Sequence, residues 1–293
     1  MKIIGVDIGG TTIKGGIVEN GEILLFAKRM TNIQLGIEEF KKSLFAVIEE
    51  LLDETEPNCP IGISSTGDIN PLTGSVIYAT DSMPDYSGLC LKKLIEDRYH
   101  RKTVVLNDSL SALLGEYIYG AGKGLKEVVM LTLGTGVGGG VISNSKLLFG
   151  KEFRASRLGH TTLYKNGRPC PCGKKGCIEA YISAKGLLKT AEINGSNFFD
   201  VNEIFTCEDH NLIAKIVEEF TNDLISVIEN YNAIFDPEVI IIGGGLIMTT
   251  DFWWDRLMEK NQTNIKIVPA DLGNDSGIIG IAYLAENNFI EGE

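Results

Sequence analysis

The chain has 293 residues and a formal net charge of −12 at pH 7. This length is sufficient for two lobes with separate cores, and the acidic charge opposes binding to DNA, RNA or an anionic membrane surface. No apolar run is long enough to span a bilayer, and the first residues lack the pattern of a signal peptide. We therefore expect a cytoplasmic protein with small-molecule partners, without nucleic-acid or membrane partners.

The beginning of the chain predicts a strand, a glycine turn and a hairpin. Residues 2–7 form a short, largely apolar run that ends in D-I-G-G-T-T-I-K at 7–14, and Asn20-Gly21 then gives a strong two-residue hairpin signal. Glycines allow backbone N–H groups to approach an anion closely, and the threonine hydroxyls and Lys14 add donors. The turn is therefore a candidate phosphate site. A tight hairpin with glycines for steric reasons alone is the alternative.

An amphipathic helix is predicted at 37–52, because its apolar residues recur at helical spacing. The next predicted strand, 61–65, runs into a turn-rich loop at 65–71. Such a loop could cover a ligand, and Gly67 is its candidate substrate-binding residue.

A further strand at 103–106 ends in Asn107-Asp108, and Ser109 is predicted to begin a helix. The carboxyl end of a parallel strand, just before a helix, is the usual place for ligand chemistry in an α/β sheet. Asn107 and Asp108 are therefore candidate ligand-binding residues. The residues leave open a second interpretation, in which Asp108 only caps the helix.

The same pattern then begins again. A strand at 127–133 runs into G-T-G-V-G-G-G at 134–140 and a hairpin with its tip at 144–145. The glycines spell G-x-G-x-x-G, but a hairpin follows where a dinucleotide motif requires a helix. Later elements are a helix at 211–231, a strand at 239–242, a glycine turn at 243–245, a strand at 265–268, and a closing helix at 278–285 capped by Asp275 or Ser276. This duplication predicts two α/β lobes that close on a nucleotide.

One histidine and three cysteines predict a closed metal site. The cysteines have the spacing C-x-C-x4-C, and the histidine precedes them by ten residues. The predicted ligands of one tetrahedral zinc ion are His160, Cys170, Cys172 and Cys177. A Cys3His shell leaves no open position, so the zinc would be structural and would hold the loop in shape. Three free buried cysteines, or a disulfide, is the alternative.

Five stretches together resemble the ROK family of sugar kinases and sugar-responsive repressors. They are D-I-G-G-T-T-I-K at 7–14, N-D at 107–108, L-G-T-G-V-G-G-G at 133–140, L-G-H at 158–160 and C-x-C-G-x-x-G-C-x-E at 170–179. The resemblance runs essentially end to end. It implies an α/β protein with the two-lobed actin-like (ribonuclease H-like) ATPase fold and a zinc-bound loop. We expect an N-terminal lobe at 1–118, with a closing helix at 277–293 packed back on it, and a C-terminal lobe at 119–276 that carries the zinc loop.

The resemblance also implies the chemistry, which is transfer of the γ-phosphate of ATP, with Mg²⁺ among the phosphates, to the 6-hydroxyl of a hexose unit. Asn107 and Asp108 would bind the sugar, and Asp108 would be the catalytic base. His160 and Glu179 would contact other sugar hydroxyls, with His160 also a zinc ligand. The implied ATP-binding residues are Asp7, Gly9, Gly10, Thr11, Thr12, Lys14, Gly134, Thr135, Gly136, Gly243, Gly244 and Gly245.

One position departs from the family pattern. Kinases of free hexoses commonly read E-I-G-H, whereas residues 157–160 read R-L-G-H, so Arg157 replaces a hydrogen-bond acceptor with a permanent donor. If Arg157 faces the sugar, an acceptor without a free anomeric hydroxyl is favoured, such as the β-glucoside cellobiose. If it turns outward to solvent, the argument does not apply. N-acetylmannosamine and free glucose are the alternative acceptors.

Two other classes of function fit the sequence less well. A sugar-responsive repressor would carry an additional N-terminal helix-turn-helix, whereas residue 2 already begins the first predicted strand and the charge is acidic. A non-catalytic sugar-binding protein would have lost the base or the glycine turns, and both are present. We expect a sugar kinase that assembles as a homodimer.

Overall fold

A computed structural model describes residues 1–80, 82–155, 157–263 and 265–287. In chain order, the strands are β1 (Ile3–Ile8), β2 (Thr12–Glu19), β3 (Glu22–Met30), β4 (Ile61–Ser65), β5 (Asp68–Asn70), β6 (Ser75–Tyr78), β7 (Thr103–Asn107), β8 (Val128–Leu133), β9 (Val137–Ser143), β10 (Lys146–Leu147), β11 (Val239–Gly243) and β12 (Ile267–Pro269). The helices are α1 (Ile37–Leu52), α2 (Leu91–Tyr99), α3 (Asp108–Tyr119), α4 (Glu179–Ile182), α5 (Ala184–Ile193), α6 (Val201–Thr206), α7 (His210–Phe235), α8 (Trp254–Lys260) and α9 (Ser276–Asn287).

These elements form two compact units. The first comprises the described residues of 1–124, 146–156 and 275–293, and the second those of 125–145 and 157–274. The lobe limits expected from the sequence stay a prediction, and residues 288–293 of the expected closing helix lie outside the described residues.

The sheet of the first unit has the strand order β3-β2-β1-β4-β7. Its first three strands are antiparallel neighbours, and β1, β4 and β7 run parallel. The turn between β2 and β3 has positive φ at both central residues, 53° at Asn20 and 86° at Gly21. Two positive φ angles are what a type I′ hairpin turn requires, so the predicted hairpin is confirmed.

Helix α9 lies directly against this sheet. Gly5 on β1 and Gly62 on β4 have no side chain, and a Cβ at either position would collide with the carbonyl of Ile278 or Ile281. The close approach places the first turn of α9 beside Asp7, since a Cβ on Gly277 would be 3.5 Å from Asp7 Oδ1.

The second unit repeats the arrangement. Its strands β9-β8-β11-β12 follow the same order and directions as β2-β1-β4-β7, with β8 and β9 antiparallel and β8, β11 and β12 parallel. Helices α4 to α8 cover a core that includes Leu131, Ile182, Phe220, Ile240 and Trp253. The duplication expected from the glycine turns is therefore present in the topology of the two sheets.

Several predicted boundaries are corrected. Helix α7 extends to Phe235, beyond the predicted end at residue 231, and α9 covers 276–287 where 278–285 was predicted. Strand β12 begins at Ile267, two residues later than predicted. Asp209 caps α7, with Oδ1 accepting the N–H groups of Asn211 and Leu212, so the helix begins one residue earlier than its apolar pattern indicates.

Candidate active site and metal centre

The first glycine turn joins β1 to β2 and is held closed by backbone and side-chain hydrogen bonds. Gly9 N–H donates to Thr12 O at 3.0 Å, and Thr31 binds the turn twice, with N–H to Thr11 O at 2.9 Å and Oγ1 to Gly9 O at 2.8 Å. A Cβ on Gly10 would meet no atom within 4 Å, so the surface of the turn is open at this residue. An open, backbone-lined turn of this kind fits an anion. Thr31 was missed by the sequence argument.

Asp7 and Lys14 lie opposite each other on β1 and β2. Ser64 Oγ donates to Asp7 Oδ1 at 2.7 Å. Burial raises the pKa of the Asp7 carboxyl, while the Ser64 hydrogen bond and the Lys14 charge act to lower it. Asp7 is thus a partly buried acidic group at the beginning of the first glycine turn.

Three neighbouring strands end in register beside this turn. Ile8 on β1 pairs with Ser65 on β4, and Ser65 pairs with Asn107 on β7. Gly67 lies just beyond Ser65 with φ of 93°, and its carbonyl accepts a hydrogen bond from Asn107 Nδ2 at 2.8 Å. Gly67, Asn107 and the first glycine turn are therefore at one edge of the sheet.

Asn107 is the N-cap of α3. Its Oδ1 accepts the N–H groups of Ser109 at 3.0 Å and Leu110 at 3.3 Å. The helix begins at Asp108, so the predicted start at Ser109 is wrong, and so is the interpretation of Asp108 as the cap. Asparagine and aspartate cap helices equally well, which is why the sequence left this choice open.

The Asp108 carboxylate accepts at Oδ1 from the N–H of Ser109 at 2.7 Å and from its hydroxyl at 3.3 Å. Burial, and next the negative charge of Asp7, raise the pKa of Asp108 to about 7. A carboxyl group with this pKa exchanges protons near neutral pH, as a general base must. A carboxylate on the protein surface would not have this raised pKa.

The second glycine turn, between β8 and β9, is tied to Glu179 at the start of α4. Val137 N–H donates to Glu179 Oε2 at 3.0 Å, and a Cβ on Gly136 would collide with the same oxygen. Gly134 N–H donates to Gly136 O at 2.9 Å. Thr135 is exposed, and a Cβ on Gly134 would meet nothing within 4 Å. The turn is open on one side and rests on Glu179 on the other.

The third glycine turn follows β11. Gly243 pairs with Thr132 near the end of β8, and Gly244 has φ of 84°. A Cβ on Gly244 would lie 2.5 Å from Leu133 O, whereas one on Gly245 would meet nothing within 4 Å. The second and third turns are thus neighbours, because they follow adjacent parallel strands.

The four predicted zinc ligands converge in the second unit. One ligand atom from each of His160, Cys170, Cys172 and Cys177 lies within 4.8 Å of all the others. Cys172 Sγ is 3.6 Å from Cys177 Sγ, and Cys170 Sγ is 3.6 Å from His160 Nδ1. All three cysteines are free thiols, so the disulfide alternative is wrong. Three soft sulfurs and one imidazole nitrogen at these spacings fit one tetrahedral zinc ion.

The loop around these ligands is short and well bonded. Cys170 N–H donates to Lys174 O at 2.9 Å, and Gly173 N–H donates to Cys170 O at 3.0 Å. Thr162 and Cys177 form an isolated antiparallel β-bridge. Glu179 follows Cys177 by two residues, and Cys170 Sγ lies 3.6 Å from Glu179 Oε1. Residues 160–177, which carry the four predicted ligands, are called the metal loop. Glu179 therefore contacts both the metal loop and the second glycine turn.

Arg157 precedes the 3₁₀ helix Leu158–His160, and its carbonyl accepts the N–H of His160 at 3.1 Å. The residue is partly buried, and its neighbour Ser156 lies outside the described residues. Whether its guanidinium faces a sugar stays a prediction.

No helix in the described part of the chain is both long and apolar enough to cross a membrane.

Comparison with known proteins identifies the family. The ROK family model matches residues 3–288. The glucokinase of Thermotoga maritima is 32% identical over 309 residues, covering 97% of each chain. An N-acetylmannosamine kinase of Vibrio cholerae serotype O1 is 26% identical over 289 residues, covering 97% of this chain and 99% of that protein.

A solved structure gives the same result. The ROK family glucokinase of Streptomyces griseus, in complex with glucose and AMPPNP, superimposes with a TM-score of 0.84 at 28% identity. The match covers 98% of this chain and 99% of the other. With its glycine turns and its Cys3His loop, the chain belongs to the ROK family, and it is a sugar kinase with the actin-like ATPase fold.

Proposed function

We propose that the protein transfers the γ-phosphate of ATP to the 6-hydroxyl of a hexose unit, with Asp108 as the base. The observation that carries the proposal is the Asp108 carboxyl, whose pKa is raised to about 7 by burial and the Asp7 charge. At neutral pH a large fraction is ionised and can accept the hydroxyl proton. Transfer of the hydroxyl proton to the Asp108 carboxylate makes the sugar oxygen a better nucleophile. The rest of phosphoryl transfer depends mainly on the position of the reactants and on countercharge.

Asn107 is proposed to bind the acceptor as a donor. Its Oδ1 already accepts two helix N–H groups, and one Nδ2 hydrogen goes to Gly67 O. An amide nitrogen carries two hydrogens. The second goes to the Asp108 carboxylate, and an acceptor hydroxyl bound at Asp108 would share this donor.

The phosphates of ATP are assigned to the three glycine turns. Gly10, Gly134 and Gly245 each leave open space where a side chain would stand. Backbone N–H groups at such turns bind phosphate oxygens, and Lys14, Thr11 and Thr12 would add donors at the first turn. Bound Mg²⁺ would supply countercharge to the phosphates, with Asp7 as the nearby carboxylate of this chain.

Zinc would position the sugar-binding residues of the second unit. His160 points Nδ1 toward Cys170, which leaves Nε2 for a sugar hydroxyl if Nδ1 binds the metal. Glu179 is held between the metal loop and the second glycine turn. A closed site of this kind supplies shape rather than an activated water.

The favoured acceptor is a β-glucoside such as cellobiose, and the argument rests on Arg157. A guanidinium donates hydrogen bonds and accepts none, so it suits a glycosidic oxygen better than the donor hydroxyls around C1 and C2 of a free hexose. Glucose and N-acetylmannosamine are the second candidates, because the relative from Thermotoga maritima is a glucokinase and the one from Vibrio cholerae is an N-acetylmannosamine kinase.

A coupled assay of ADP release tests the proposal with cellobiose, glucose and N-acetylmannosamine at matched concentrations. We expect sugar-dependent ADP release and the highest kcat/KM for cellobiose. A clear preference for a free hexose would refute the acceptor while leaving the kinase assignment intact. Assembly as a homodimer also stays a prediction, which size-exclusion chromatography with light scattering would test.

A further inference from the structure

Two buried hydroxyl groups lie next to the Thr66–Gly67 turn, whose Gly67 carbonyl accepts a hydrogen bond from Asn107. Tyr86 and Ser65 are both fully buried, and their hydroxyl oxygens are 2.7 Å apart. Neither residue belongs to the glycine turns, to the metal loop or to the Asn107-Asp108 pair. The Tyr86 ring packs edge-on against Phe40, with 5.2 Å between the ring centroids.

The direction of these hydrogen bonds follows from counting hydrogens. Ser65 Oγ donates to Thr66 O at 3.0 Å, and a serine hydroxyl has only one hydrogen. Tyr86 must therefore donate to Ser65. Burial raises the pKa of Tyr86, so the phenol stays protonated and remains a donor. The result is a directed chain from the Tyr86 hydroxyl through Ser65 to the Thr66 carbonyl.

This chain fixes the peptide that precedes Gly67. Thr66 is held on its other side by its N–H, which donates to Ile8 O at 3.0 Å. Gly67 then adopts φ of 93° and presents its carbonyl to Asn107 Nδ2. A Cβ on Gly67 would lie 2.6 Å from Tyr78 O, so the turn has little room to rearrange while its partners remain in place.

The orientation of the Asn107 amide depends on this turn. One of its Nδ2 hydrogens goes to Gly67 O, and this bond directs the other toward the Asp108 carboxylate. Buried hydrogen bonds of this kind lock a side chain that binds a ligand. A loose Thr66–Gly67 turn would allow the amide to rotate away from the acceptor.

We infer that Tyr86 and Ser65 are positioning residues for acceptor binding: their hydroxyl chain fixes the Thr66–Gly67 turn and thereby holds the Asn107 amide beside Asp108, where the sugar hydroxyl would bind. The inference rests on the proposed role of Asn107 in binding the acceptor. It assigns the residues no contact with substrate.

The test is a double-mutant cycle of Tyr86→Phe, Ser65→Ala and the combined variant. Tyr86→Phe keeps the ring against Phe40 and removes only the hydroxyl. We expect each single change to raise the KM for the acceptor about 3- to 10-fold with kcat within about twofold, as loss of uniform binding does. The double variant should show the same rise as a single one, because both hydroxyls act through one chain.

Tyr99→Phe is the matched control. It removes a phenol that bonds Arg98 and Glu49 on the exposed side of α2, and the acceptor KM should not change. The KM for ATP and the Tm of every variant separate positioning from a general loss of stability. If Tyr86→Phe fails to fold, Ser65→Ala gives the same readout independently.

An unchanged acceptor KM in a folded Ser65→Ala or Tyr86→Phe protein overturns the inference. An increase in the acceptor KM of the double variant that equals the product of the two single increases also overturns it. Absence of sugar-dependent ADP release from the unmutated enzyme is a different result, since it refutes the proposed function itself.

Discussion

The Glu179 carboxylate accepts a hydrogen bond from the backbone N–H of Val137, with 3.0 Å between Oε2 and N. One contact thus joins a proposed sugar-binding residue to the second glycine turn, and Glu179 is also two residues from the proposed zinc ligand Cys177. The proposed acceptor site and the proposed phosphate turn of this unit would thus share a side chain, so a change at Glu179 should affect both substrates.

We predict that Glu179→Ala raises the KM for ATP as well as that for the sugar, each by about 10-fold, because Val137 N–H loses its acceptor. Glu179→Gln keeps an acceptor oxygen and should affect the KM for ATP much less. Steady-state kinetics with each substrate varied in turn would measure this. The control is Glu192→Ala, which removes only an exposed ion pair with Lys189. An unchanged KM for ATP in Glu179→Ala would show that the Glu179 bond to Val137 does not contribute to ATP binding.

The enzyme should contain about one zinc per chain, held by the Cys3His cluster. Cys172→Ser removes one ligand, so it should lower the Tm by about 4 °C or more and raise the acceptor KM as the loop loosens. Elemental analysis and thermal unfolding measure these effects. Cys207→Ser, outside the cluster, is the matched control. Protein prepared without chelator that contained no zinc would refute the structural role.

The pKa of Asp108 predicts a pH dependence of activity. Since the ionised form is the base, kcat/KM for the acceptor should rise with pH through about 7 and level off above it. A pH–rate profile from pH 5.5 to 8.5 would show this. A flat profile across that range would mean that Asp108 does not have to ionise for the reaction.

The same shift predicts an effect on stability. Asp108 has a pKa raised from 3.8 to about 7, so it stabilises the folded state fully below about pH 4 and this contribution is lost as the pH rises through 7. Asp108→Asn removes the dependence. Its Tm relative to wild type should therefore increase between pH 5.5 and 8.5, by about 2–4 °C for each 1 kcal/mol. Calorimetry at both pH values measures this, and a Tm difference that stayed the same would mean that burial does not disfavour the Asp108 charge.

Arg157 should influence the choice of acceptor. A charge-assisted hydrogen bond contributes about 1.5–3 kcal/mol, so Arg157→Glu should shift relative specificity by about 10- to 100-fold toward a free hexose. The measurement is the ratio of kcat/KM for cellobiose and glucose in both proteins. Arg256→Glu, whose residue pairs with Glu218 and Glu259 on an exposed surface, is a charge-matched control. An identical ratio in wild type and Arg157→Glu would place the guanidinium away from the acceptor.

Local sequence signals predicted much of the fold. The apolar period of α1 placed both of its ends correctly, at Ile37 and Leu52, and Asn20-Gly21 predicted the first hairpin turn. These features depend on neighbouring residues alone. The convergence of the four proposed zinc ligands was also predictable, because three of them lie within eight positions of one another.

Contacts between distant residues were not predictable from such signals. Tyr86 reaches Ser65 across 21 positions, and Thr31 reaches Gly9 across 22. Neither side chain stands in a recognisable motif, so its role depends on strand pairing that the sequence does not specify locally. The cap of α3 was missed for another reason, since Asn107 and Asp108 have equal capping preference.

Asp108 as the base of a sugar kinase is the central claim, and ADP release by the wild-type enzyme and by Asp108→Asn tests it most directly. Asparagine keeps the shape and the Oδ1 acceptor but cannot take the proton. We predict sugar-dependent ADP release by the wild type and a fall in kcat of about 10²- to 10⁴-fold in the variant, with much less change in sugar affinity. ADP release that does not depend on any of the three sugars, or near-normal turnover by Asp108→Asn, would contradict the account.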